Sequence, residues 1–307
     1  MAGSTPWRKR AWTLWVALIL VGLVGAGGQV ASAYTLSASV ASATQGYLIQ
    51  SPQQADYPAG TTVTLYAGAR QGYEFSGWTG NVPSGQEKVN PLVVTMDTTR
   101  TLLASCKKVG SAMVVVWGQD AFGKIRVPEP NTDFVAVSAG GEHTLGLRSN
   151  GTIEAWGLND LGQCNVPTPN AHFIGISAGY QHNLALKSDG SIVTWGDNNM
   201  GQCDVPSPNA NFVAVAAGYD HSQALRADGS IVGWGGIAEK QPSWENSGFV
   251  ALAAGDRYGV GLRSNGDLDL WGENFPSLLS VYKALQYHDY IGIDTQLRFG
   301  LGLRANG

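Results

Sequence analysis

The chain has 307 residues, among them 41 Gly and 10 Trp; 44% are hydrophobic, only 14% are charged, and the formal net charge is −4. That much hydrophobic residue at so small a net charge excludes a disordered chain, and the acidic balance excludes a basic nucleic-acid-binding surface. Gly well above its usual level, with charge well below, points to a turn-dense β protein, because turns need positive φ and strands accept aromatics.

The first 33 residues read as an export signal. Arg8, Lys9 and Arg10 precede an apolar run from Ala11 to Ala26, and Ala31-Ser32-Ala33 offers small residues for cleavage. A retained membrane anchor is the alternative, but the run barely spans a bilayer core of ~30 Å. Cleavage after Ala33 makes the chain a secreted or cell-surface protein with no membrane span, and leaves 16 basic against 23 acidic residues, a charge of −7. Cys106, Cys164 and Cys203 are an odd number for an oxidising compartment, and none stands at metal-ligand spacing from another. A disulfide-stapled fold is not expected.

Residues 34–108 form the next segment. Tyr57 to Leu65 alternates as a strand, Gly72 to Gly80 is an aromatic-rich strand with Gly at its bends, and Pro91 to Asp97 completes the pattern. This segment resembles the divergent internalin B-repeat domain of exported bacterial proteins. The resemblance implies a small separate β domain serving as a spacer or adhesion module, with Cys106 to Ala112 as the expected linker.

Residues 113–307 are periodic. Trp-Gly recurs at Trp117, Trp156, Trp195, Trp234 and Trp271, at spacings of 39, 39, 39 and 37 residues. A fixed period near 40 with turn signals indicates a propeller or solenoid. Within a unit, Phe134 to Ala139 reads as an inner strand, His143 to Arg148 as a second and Thr152 to Trp156 as a third. Asn150-Gly151 between the last two has the signature of a two-residue hairpin in which both positions take positive φ. The units count five times 39 residues, the first beginning with a lone Trp strand and the last ending just before its own. The expected fold is therefore all-β: a five-bladed β-propeller closed by the N-terminal strand, Met113 to Trp117, which removes both open edges.

The run Val193 to Pro206 (Val-Thr-Trp-Gly-Asp-Asn-Asn-Met-Gly-Gln-Cys-Asp-Val-Pro) and the Ala-Gly-x-x-His-x-x-Ala-Leu segment after it resemble the regulator of chromosome condensation repeat family. The short repeat is similar to the bacterial branch that contains secreted β-lactamase inhibitory propellers. In that branch two loop sets form a partner-binding surface. The loop before each His contributes Glu142, Tyr180, Gln181, Tyr219, Asp220 and Arg257. The Trp-Gly-to-Gly-Gln turn contributes Phe122, Leu161 and Met200. Tyr180 and Tyr219 match an aromatic position of the pattern, and the others match by loop.

His143, His182 and His221 stand 39 residues apart and could converge on a metal, but Tyr258 and Phe299 occupy the position in the other units. An aromatic shape therefore suffices, and these histidines, with the five lattice tryptophans, are read as structural. Cys164 and Cys203 share a position held by Ile125 in the first unit, which suits a buried structural thiol. Asp197-Asn198-Asn199 lacks the alternating carboxylates of a calcium loop and reads as a hydrogen-bonded turn. No catalytic residue, metal or cofactor is expected. The resulting expectation is a monomeric, non-catalytic protein that binds a protein partner and neither nucleic acid nor membrane. The alternative is an extracellular glycan lyase or hydrolase using the central channel.

Overall fold

The computed structural model describes residues 33–110, 112–236, 242, 245–273, 287–296 and 299–304, so the segment expected to be an export signal, apart from Ala33, lies outside the described residues. From Ala33 onward the chain forms one compact unit.

Its N-terminal part holds eight strands: β1 (Ala33–Tyr34), β2 (Leu36–Val40), β3 (Gly46–Ser51), β4 (Tyr57–Pro58), β5 (Thr62–Ala69), β6 (Tyr73–Gly80), β7 (Leu92–Thr95) and β8 (Arg100–Lys108). They pair as β2-β8-β6 and β3-β5-β7, with β1 on β4. Alternate residues of β5 and β7 (Val63, Leu65, Ala67, Leu92, Val94) turn inward onto Tyr57, Trp78, Met96 and Leu102, all at most 2% exposed. The expected linker is shortened, because Cys106, Lys107 and Lys108 pair with Phe75, Glu74 and Tyr73 inside a sheet. The aromatic side of β6 needs that partner.

The periodic part is built of three-stranded antiparallel sheets: β9 (Phe134–Ala139), β10 (His143–Arg148) and β11 (Ile153–Gly157); β12 (Phe173–Ala178), β13 (His182–Lys187) and β14 (Ile192–Gly196); β15 (Phe212–Ala217), β16 (His221–Arg226) and β17 (Ile231–Gly235); β18 (Phe249–Ala254), β19 (Tyr258–Arg263) and β20 (Leu268–Gly272). A fifth sheet pairs β21 (Tyr290–Gln296) with β22 (Phe299–Arg304). First strands lie side by side, β9 on β12, β12 on β15, β15 on β18 and β18 on β21. Each middle strand is buried almost throughout, as its position between neighbouring sheets requires.

Three details were not foreseen in this form. The hairpins have three-residue loops: Arg148 N donates to Thr152 O, Gly151 N donates to Arg148 O, and only Gly151 has positive φ, at 80°. Asn150 instead accepts from Thr152 N and Oγ1, so its side chain, not its backbone, shapes the turn. Secondly, Asp133, His172 and Asn211 adopt positive φ (62°, 65°, 64°) ahead of each first strand, where the fourth unit has Gly248.

Thirdly, the closing strand pair is not seen among the described residues. Among the described residues the segment from Met113 to Trp117 pairs with no strand; the adjoining Ala112 bridges Phe134. Trp117 is 84% exposed, against 7, 7, 3 and 1% for its four counterparts. The segment is held instead on the first unit, where Asn131 takes Val114 N and donates to Val114 O, at 2.8 and 2.9 Å.

Candidate functional site

The site is built on the hairpin ends at which each middle strand begins and each third strand finishes. Main-chain bonds zip the two loop sets together: Leu158 N to Glu142 O, Asp197 N to Gln181 O, Gly236 N to Asp220 O and Glu273 N to Arg257 O. The loops ahead of the histidines are also tied from unit to unit, Gly141 N to Gly179 O, Tyr180 N to Gly218 O and Tyr219 N to Gly255 O. Both expected loop sets therefore share one end of the array.

Behind them lies a regular buried network. His143 and His182, 1% and 0% exposed, reach the next unit through Nε2, to Asn183 Oδ1 at 2.7 Å and to Ser222 Oγ at 3.0 Å. Asn183 and Ser222 donate in turn to the carbonyls of Gln163 and Gln202, which also accept the indoles of Trp195 and Trp234. His221 has Gly259 where the others meet Asn183 and Ser222, and its ring faces the backbone of Asp256 and Tyr258. Each ring lies over a glycine: a Cβ on Gly140, Gly179, Gly218 or Gly255 would stand 2.1 to 2.5 Å from it. Burial pushes the imidazoles down, His182 to about 3 and His221 to about 4; it lowers His143 too, against the hydrogen bond that His143 donates to Asn183. Neutral, buried rings in such slots act in packing, and the described residues contain no group of side chains arranged to hold a metal.

The Asp197-Asn198-Asn199 turn is cross-braced by its own side chains, Asn198 to Asp204 and Cys203 N, and Asp197 to Gln202 and Asn199 N. Cys164 and Cys203 are free thiols that donate to the carbonyls of Leu158 and Asp197, and Cys106 is free as well. Burial raises all three thiols, Cys203 to about 11.

Tyr180 and Tyr219 stack with centroids 4.3 Å apart and planes at 19°. Beside them, Phe122, Leu161, Met200 and Tyr219 are 63, 41, 50 and 39% exposed. Phe122 itself has φ 60° in its turn. Gln202 and Gln163 hold the tips by accepting from Met200 N and Leu161 N. Charged members of the set are paired: Glu142 with Lys124 at 2.5 Å, and Arg257 with Asp220 at 2.7 Å and with Glu273 at 3.2 Å. Burial raises the Asp220 carboxyl, and Arg257 pulls against it. Gln181 is half-buried. Beneath the tyrosines a cleft of about 260 Å3 is lined by Gly140, Gly179, Gly218 and Gly255, with Tyr180 and, from the fifth unit, Thr295.

Residues 134–163, 173–202 and 212–236 match the Regulator of chromosome condensation (RCC1) repeat, and residues 34–109 match the Divergent InlB B-repeat domain. The chain carries RCC1 repeats behind a divergent InlB B-repeat domain. No curated protein matches it. Among solved structures it is similar to the ectodomain of the Physcomitrella patens receptor kinase CR4 (22% identity, TM-score 0.48), covering 56% of this chain and 50% of that one. The chain thus spans half the length of that ectodomain. It is also similar to the CRINKLY WD40 ectodomain of Arabidopsis thaliana ACR4 (18%, 0.48; 85% and 92%) and to Prp20p of Saccharomyces cerevisiae (20%, 0.46; 80% and 67%).

One recurrent device of these RCC1 repeats was not singled out from sequence. Asn170, Asn209 and Asn246 each clamp the backbone of a third strand, at Ile153, Ile192 and Ile231, as Asn131 clamps Val114. The signal was present: Val-Pro-x-Pro-Asn recurs at 127–131, 166–170 and 205–209.

Proposed function

We propose that the protein is an exported, non-catalytic binding protein whose RCC1-repeat array engages a protein partner through the end bearing Tyr180 and Tyr219. The observation that carries this reading is the stacked tyrosine pair above a glycine-lined cleft, flanked by exposed Phe122, Leu161 and Met200. Aromatic and large apolar side chains that lose water on contact dominate interface energies. Residues 113–307 carry 11 basic and 19 acidic residues, which favours a partner surface of positive charge. Mature protein used as bait on the producing cell's envelope and medium supplies the partner. The double variant Tyr180→Ala, Tyr219→Ala is expected to weaken that capture about a hundredfold or more and to leave the unfolding midpoint unchanged; undiminished capture would refute the reading.

The segment from Met113 to Trp117 is read as the third strand of the fifth sheet, completing a five-bladed ring. It shares the apolar-x-x-Trp-Gly pattern and the asparagine clamp of the other third strands, and β22 leaves Leu301 and Leu303 65% and 63% exposed. The register of β10 on β11 (Leu145 opposite Ala155) places Val116 opposite Leu301. With the native cysteines changed to serine, Val116→Cys and Leu301→Cys are expected to cross-link within one chain on mild oxidation. Failure to cross-link in the folded protein would leave the array open.

A further inference from the structure

The B-repeat domain meets the RCC1 repeats in a systematic way, one unit after another. Gly72 sits against Val135 of the first unit, where a Cβ would come within 2.7 Å of the valine. The Gln71 amide takes Ile176 N at 3.0 Å and donates to Ile176 O at 3.3 Å in the second. Arg70 donates through Nη1 to Val213 O in the third. Tyr47 donates to Val250 O at 3.3 Å in the fourth. In the fifth, Tyr290 joins the cluster in which Ile49 of the B-repeat domain, 1% exposed, packs with Val213, Phe249 and Val250.

These contacts have the character of an interior. β12, β15 and β18 are edge strands of their own sheets, so their outer N–H and C=O groups need partners. Gln71 presents one donor and one acceptor, and thereby serves one residue of such an edge as a neighbouring strand would. Arg70 is 8% exposed, and its guanidinium lies 5.1 Å over the Tyr47 ring. A buried cation is costly unless paired or hydrogen-bonded, and here the Val213 carbonyl and the aromatic face are its described counterparts. Detached from the repeats, the B-repeat domain would return Ile49 and Arg70 to water and leave the strand edges bare.

The contacts fall on the second and fourth residues of six-residue first strands, whereas the cleft under Tyr180 is lined by the last residues of those strands and the glycines after them. We propose that the B-repeat domain is the built-in occupant of one end of the repeat array: an intramolecular plug that seals the inner strand edges and leaves the tyrosine-bearing end as the accessible one. The plug is independent of what the tyrosine face binds.

Insertion of a specific protease site after Gly110 in the full chain tests this. The two halves of the cut protein are expected to co-elute in gel filtration and to separate only under denaturant. Gln71→Ala keeps both apolar cores and is expected to weaken their association about tenfold on dilution, while the exposed control Lys107→Ala changes nothing. Arg70→Glu with Tyr47→Ala is expected to release the halves on cutting. Halves of the wild-type chain that separate at once, or that hold equally tightly with Gln71→Ala, would overturn the proposal.

Discussion

Acidification from pH 7 to pH 5 is expected to lower the unfolding free energy by about 4 kcal/mol through His182 and His221 alone. Both rings are neutral in the folded protein because burial pushes their pKa values to about 3 and about 4. An unfolded histidine titrates near 6.5. Above that value neither state binds a proton at these sites and the stability is complete. As the pH falls below 6.5 the unfolded state takes up protons that the folded state refuses, so stability is lost at about 1.4 kcal/mol per pH unit for each ring. The loss continues until the folded pKa values are reached. His143 adds a term of the same sign. Asp220, with its raised carboxyl, acts in the opposite sense, but only near the carboxylate range, which is why the comparison is made between pH 7 and 5. Denaturant titrations across that interval measure the slope. His182→Phe, the residue that the fifth unit carries in this slot, is expected to reduce it by one proton. A slope untouched by that change would show that the ring is charged or solvated in the folded state.

Trp234→Ala is expected to cost about 3–5 kcal/mol. Trp234 is 3% exposed and packs with Leu184, Leu186, Ile192, Phe212 and Ala224, spanning two units. Its indole also donates to Gln202 O at 2.8 Å, but that carbonyl keeps Ser222 as a second donor. The hydrogen bond therefore contributes little to the loss, and lost burial plus the cavity left between two sheets contribute most. Trp234→Phe retains most of the packing and is expected to recover more than half of the stability by thermal or chemical unfolding. Equal losses from Phe and Ala would place the energy in the indole hydrogen bond instead.

Much of this was legible from periodicity. The 39-residue spacing identified the units, the strand alternation identified first and middle strands to the residue, and equivalence between His143, Tyr258 and Phe299 identified a packing slot. Side chains repeated at one lattice position must meet equivalent surroundings, so each copy tests the reading of the others. Local geometry was read less well. Asn150-Gly151 suggested a two-residue turn, yet the side chain of Asn150 captures Thr152 and only the glycine needs positive φ. Positive φ ahead of the first strands falls on Asp133, His172, Asn211 and Gly248, residue types that enter this region more readily than others, but the spread over four types hid the pattern.

By itself, then, the sequence determined the two domain types, the strands of each repeat and the repeated loops that carry Tyr180 and Tyr219, since all of these follow from patterns that repeat or alternate along the chain. Only the tertiary structure decided that the B-repeat domain docks on the repeats, one unit after another. Arg70 and the Val213 carbonyl are 143 residues apart, and no local pattern marks either of them. Their meeting depends on the shape and unpaired edges of surfaces that exist only once both halves have folded.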